Sequence, residues 1–197
     1  LSSNLAVSSS NGTNRLWVVN QDNDSVSVFN SNTDIKITEI AVGKSPRSIA
    51  VAPDGRIWIS NKANSSLSIV NPTTLQLQQT INLPPSSQPF GLAFAPDGSA
   101  GYVVLEAAGK LLKFDPVSGA TITSLTIGSN PRHIAIQNDS NKILVSRYIS
   151  PPLPGESSAT IQTNGHQGNY GGEIFVVNAG TMTIDKTIVL QNSDKQD

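Results

Sequence analysis

The stretch Ser48–Asn61, "SIAVAPDGRIWISN", decides the fold. It holds two short runs of alternating β-branched and apolar residues around an Asp-Gly pair. Such a pair is the strong local signal for a hairpin, because glycine accepts the positive φ of a tight turn. Working outward, the same pattern recurs as "GLAFAPDGSAGYVVLE" (Gly91–Glu106), more weakly as "HIAIQNDSNKILVSR" (His133–Arg147), and earlier as "NLAVSSSNGTNRLWVVN" (Asn4–Asn20). Ile49, Leu92 and Ile134 occupy one repeat position at intervals of 43 and 42 residues, and Leu5 lies 44 before Ile49. Ankyrin and tetratricopeptide periods are shorter, and armadillo-type repeats need helices that this pattern lacks.

Each repeat divides into four strand-like runs. In the second they are "SIAVA", "RIWISN", "SLSIVN" and "LQLQQTINL". After the third run stands "NPTT" or "DPVSG", where proline sets a turn φ and stops the strand. The expected fold is all-β: a β-propeller of four-stranded antiparallel blades. Residues 1–197 read as one propeller segment with blades at about 4–43, 44–83, 84–128 and 129–191.

"GKSPRSIAVAPDGRIWISNKANSSLSIVNPTTLQLQQTINL" resembles the YVTN-type β-propeller repeat. In that family Gly-x-x-Pro precedes the inner strand, a "PDG" turn follows it, and "YVTN" leads to a "VID"-like strand. Here "RIWISN" and "RLWVVN" stand for "YVTN", and "SIVNP" and "KFDP" for "VID". The resemblance implies a ring usually closed by seven blades. Four blades are then a partial propeller completed by further blades, the expectation favoured here, or half of a ring closed by a second copy. The resemblance implies no particular activity, since such folds carry many.

Composition narrows the function. Net charge is −1 with pI about 6.1, so no basic surface points to nucleic acid. Ser, Thr, Asn and Gln number 68 against 27 charged residues, a balance often met outside the cytoplasm and read here as secreted or periplasmic. Cysteine is absent, which excludes disulfides and thiolate-held cofactors within this sequence. No apolar run reaches membrane-span length, and no basic-then-apolar leader is seen. No cofactor and no metal site is expected. Asp22 and Asp24 in "QDNDS" offer calcium-type oxygens without the glycine and distant glutamate of a full loop motif. Asn11, Asn23, Asn64 and Asn138 head glycosylation sequons that an Asn/Ser-rich sequence produces by chance.

In a meander the turns alternate between two rims. The "PDG" turns mark one. The other carries the blade-to-blade connections "VGKSPR", "LPPSSQPF" and "IGSNPR", whose Pro-x ends place Arg47, Phe90 and Arg132 at the channel mouth. Arginines there suit a carboxylate or phosphate, or pair with a neighbouring blade's carboxylate or carbonyl. Phe90 reads as packing or ligand stacking. His133 is a candidate ligand or base, or a structural histidine.

Blade 4 departs from the period. From Phe114 to the matching Val177 is 63 residues, about 20 more than one repeat. The excess lies at about 149–171, between the second and third runs, and should project from the mouth rim. It contains "SPPLPGE", expected in polyproline II form, and "TNGHQGNYGG", whose His166 and Tyr170 join the candidate binding residues. "SRYISPPLPGE" followed by "GGEIFVVN" is similar to segments of large secreted bacterial propeller proteins that can carry cytochrome-peroxidase-like domains elsewhere; no haem-binding residues are visible here.

The leading expectation is a non-catalytic extracytoplasmic interaction module taking a protein partner or small anionic ligand at the mouth. The alternative is part of a propeller enzyme, lactonase- or lyase-like or redox-linked, with His133 and Glu106 as local candidates. Two histidines and no nucleophile motif disfavour a hydrolytic triad.

Overall fold

The computed structural model describes residues 2–10, 12–147 and 173–189. It forms four antiparallel sheets, each a meander in chain order. Blade 1 holds β1 (Leu5–Ser10), β2 (Thr13–Asn20), β3 (Ser25–Asn30) and β4 (Ile35–Ala41). Blade 2 holds β5 (Pro46–Val51), β6 (Ile57–Asn61), β7 (Ser66–Asn71) and β8 (Gln76–Asn82). Blade 3 holds β9 (Pro89–Phe94), β10 (Gly101–Leu105), β11 (Lys110–Phe114) and β12 (Thr121–Thr126). Blade 4 holds β13 (Pro131–Ile136), β14 (Lys142–Arg147), β15 (Glu173–Asn178) and β16 (Thr183–Val189). The fold is thus the four-blade partial β-propeller expected from the repeat.

Local chemistry sets the turns. In both "PDG" hairpins the glycine has positive φ, 84° at Gly55 and 75° at Gly98, and its N–H donates back to Ala52 or Ala95 at 2.9 Å. After the third strand of blades 2 to 4 an Asx turn forms. Asn71, Asp115 and Asn178 each accept two backbone N–H groups on a side-chain oxygen, at 2.7 to 3.1 Å. These turns also knit the blades together on the PDG rim. Arg15 donates to the Pro72 carbonyl of the next blade, and Arg56 to that of Val117 at 2.6 Å. Lys113 reaches the Ala179 carbonyl at 2.9 Å.

The core lies between sheets. Trp17, Val26 and Val28 of blade 1 meet Ile49, Ile57 and Ile59 of blade 2. Trp58, Leu67 and Ile69 meet Leu92, Val103 and Phe114 across the blade 2–3 interface. Tyr102, Val104 and Leu111 meet Ile134, Val145 and Phe175 across the next. Alternation supplies this directly, since successive strand residues face opposite blades. Asparagines that end the second strands tie the mouth ends of blades 1 and 2: Asn20 donates to Ser25 and Ser27, and Asn61 to Ser66 and Ser68, at 2.9 to 3.0 Å.

Blade 1 differs from the blades packed on both faces. Ile49 is 1% exposed, while Leu5 at the same repeat position in blade 1 is 48% exposed and Val7 66%. That face of blade 1 has no neighbouring sheet among the described residues.

Candidate functional site

The inner strands β5, β9 and β13 pack side by side and begin at the mouth rim. Pro46, Pro89 and Pro131 open them and pair with Asn61, Leu105 and Arg147 at the ends of the second strands. Proline is tolerated there because the first residue need not donate to the ladder. The residue before each proline, Ser45, Gln88 or Asn130, has a left-handed φ of 54°, 52° or 57°. A register shift follows immediately in each strand. Arg47, Phe90 and Arg132 sit in these bulges, which re-aim a side chain out of the regular pleat.

Phe90 is the centre of the group. The Arg132 guanidinium lies 4.7 Å from its ring centroid, the Lys62 ammonium 5.7 Å and the Arg47 guanidinium 5.9 Å. All three are within cation–π range. His133 meets the same ring edge-on at 5.3 Å. Of the residues singled out from sequence, Arg47, Phe90, Arg132 and His133 are therefore together. His166, Tyr170 and the 149–171 insertion lie outside the described residues. Its roots are described: Arg147 and Glu173 end on this rim, joined at 2.6 Å, and Arg147 also donates to the Ser129 carbonyl at 2.8 Å.

The two arginines have different partners. Arg132 meets buried Glu106 of blade 3 through Nε and Nη2, each at 3.3 Å, and Lys62 of blade 2 reaches the same carboxylate at 3.0 Å. Burial pushes the Glu106 carboxyl upward, but the hydrogen bonds from Arg132 and Lys62, with their charges, outweigh it and hold the group below its ordinary value. Glu106 stays ionised near neutrality and makes a poor proton donor.

Arg47 donates to the side-chain carbonyl of Gln21 in blade 1 and to Ser45 Oγ at 3.1 Å. Both partners are neutral, and its buried Nε has no hydrogen-bond partner among the described residues. Beside it opens a cavity of about 310 Å³, lined by Gln21, Arg47, Ser48, Phe90 and His133, with Ser2–Asn4 on the remaining side. Partial desolvation, then the Arg132 charge, lowers the His133 pKa, against a smaller opposing pull from Glu106. His133 is accordingly neutral at pH 7, able to donate and accept one hydrogen bond each.

Sequence reasoning missed Lys62, and saw Gln21 only as part of an acidic loop. Both directly follow the second-strand asparagine, Asn20 or Asn61, so aligning the loops would have flagged them. In that loop Asp24 is engaged by Lys44 Nζ and the Ser45 N–H, each at 2.7 Å. Among the described residues no group of three or more His, Asp or Glu could hold a metal.

A family model described as YNCE-like beta-propeller matches residues 1–154. No curated protein matches the sequence. Among solved structures, Kuenenia stuttgartiensis hydrazine synthase aligns with a TM-score of 0.73 at 20% identity, over 92% of this chain and 47% of that one. Dihydro-heme d1 dehydrogenase NirN, in complex with DHE, aligns with a TM-score of 0.63 at 13% identity, over 93% and 37%. At these identities the likeness is one of fold. The chain spans less than half the length of either.

Proposed function

Because the chain belongs to the YNCE-like β-propeller family, we propose that it is a non-catalytic binding module taking an anionic ligand at the mouth of the channel. The observation that carries this reading is Arg47: among the described residues its side chain hydrogen-bonds only to neutral groups, beside a cavity of about 310 Å³. That volume suits a small organic acid. Arg47 offers the carboxylate a charge-assisted bond, Phe90 an apolar wall, and Ser48 and His133 polar contacts. Lys62 and Arg132 stand behind Phe90 and both reach the Glu106 carboxylate.

The reading includes an extracytoplasmic location, supported by the high share of uncharged polar residues. Its repeats are taken as YVTN-type on the "SPR", "PDG" and "RIWISN" matches. Further blades are proposed to cover the open face at Leu5 and Val7, with a second copy of the chain as the alternative. A solution mass showing monomer at high concentration would remove that alternative.

Calorimetric titration with benzoate tests the site. The unaltered chain should bind it, with weakening as salt rises. Arg47→Gln should lower affinity about tenfold or more, the order expected for losing a charge-assisted bond. Unchanged affinity in Arg47→Gln would overturn the assignment.

A further inference from the structure

The segment entering β1 does something the repeat does not require. Ser2 and Ser3 lie across the inner strands of other blades. The Ile49 N–H of β5 donates to the Ser3 carbonyl at 2.7 Å, forming an antiparallel bridge. The Ser2 N–H donates to the Ile134 carbonyl of β13 at 2.7 Å, and the Ile134 N–H returns a bond to Ser2 Oγ at 3.0 Å. Ile49 and Ile134 are repeat equivalents, so one short segment joins blades 2 and 4.

Blade 3 leaves room for it. The residue before Leu92 is Gly91, where the flanking blades carry Ser48 and His133. A Cβ at Gly91 would stand 2.5 Å from the Arg132 carbonyl and 3.1 Å from Ser2 Oγ. The missing side chain keeps a path open across the inner edges. Its walls offer backbone donors and acceptors, which recognise an extended peptide regardless of its side chains. Asn4, the next residue of the segment, lines the cavity with Arg47.

We infer that the ligand of this mouth is an extended peptide segment bearing an acidic side chain. It pairs through its main chain with β5 and β13, and its carboxylate takes the place beside Arg47 that Asn4 now borders. The inference rests on the anion-binding reading and gives it a ligand class. The chain's own Ser2–Asn4 shows the binding mode and competes for the path, so the peptide binds by displacing it.

The test uses the full chain, the end-blocked tetrapeptide SSDL, its neutral counterpart SSNL, and benzoate. Ser2→Pro removes the N–H given to Ile134 and loosens the resident segment. A thermal melt confirms folding. Ser2→Pro should bind labelled SSDL about tenfold tighter than the unaltered chain, and prefer SSDL over SSNL by about tenfold. Adding Arg47→Gln should abolish that preference while leaving weak SSNL binding. Equal binding of SSDL by Ser2→Pro and the unaltered chain would sink the displacement, and equal binding of both peptides would sink the acidic requirement. Arg47-dependent benzoate binding without peptide binding would overturn the peptide inference and leave the anion site standing. Loss of both would overturn the two together.

Discussion

Trp58→Ala is expected to lower the free energy of unfolding by about 3–5 kcal/mol, the range for removing a large buried aromatic. Trp58 is fully buried between blades 2 and 3. Its ring stacks on Phe114 with centroids 5.2 Å apart, and meets Phe94 edge-on at 5.6 Å. Arg56 covers it at 5.6 Å on the PDG rim. Alanine leaves a cavity that two sheets, each fixed by its own ladder, cannot close by sliding together. Trp58→Phe should cost much less, about 1–2 kcal/mol, because it keeps the stack and removes an indole N–H that has no partner among the described residues. Chemical denaturation of both variants checks this. A loss under about 1 kcal/mol for alanine would mean that this interface is not the centre of stability.

Glu106→Ala is expected to cost about 2 kcal/mol at pH 7. That lies between exposed ion pairs, worth at most about 1, and fully buried ones, about 3–5 when one partner is removed. The intermediate figure follows from geometry: the carboxylate is nearly buried, while Lys62 and Arg132 keep 19% and 21% of their side chains in water. The effect has a pH signature. The folded-state pKa of Glu106 is depressed, so the stability it contributes is fully present above its unfolded value and lost as pH falls through the folded one. Denaturation at pH 7 and pH 3 should therefore show the gap between the unaltered chain and Glu106→Gln narrowing in acid. A gap independent of pH would show that the charge is not what matters. Glu106→Gln should also raise benzoate affinity at the mouth, by removing the carboxylate that Lys62 and Arg132 share.

The repeat made the fold legible because hairpin chemistry and alternation act locally. Asp-Gly at 54–55 and 97–98, and Asn-Pro or Asp-Pro after the third strand, set turns that no distant contact needs to enforce. The rim was legible for the same reason: a meander fixes which loops share an end. What the sequence hid was contact between blades. That Arg132 answers Glu106 while Arg47 answers Gln21 depends on which side chains the bulges aim at each other. Lys62 follows the last residue of β6, a position that aligning the loops would single out, but that it reaches the Phe90 ring is a contact between blades. Ser2 and Ser3 resemble any polar lead-in. Their bonds to Ile49 and Ile134 span 46 and 132 positions, and only the curvature of the assembled sheets creates them.

The uneven burial of the blades bears on how the mouth moves. Stacked repeats behave as a chain of units coupled to their nearest neighbours, and a unit with one neighbour opens more readily than a unit with two. Among the described blades, Arg47 and Phe90 belong to units held from both sides, whereas Gln21 belongs to blade 1, whose Leu5 and Val7 face is uncovered, and His133 to blade 4. The cation and the aromatic wall thus stand on the stiff middle of the arc. The groups that close around them stand on its softer ends, so transient fraying would open the cavity without disturbing Arg47 or Phe90. Amide exchange should follow that gradient, fastest in β1 and β16 and slowest in β6 and β10.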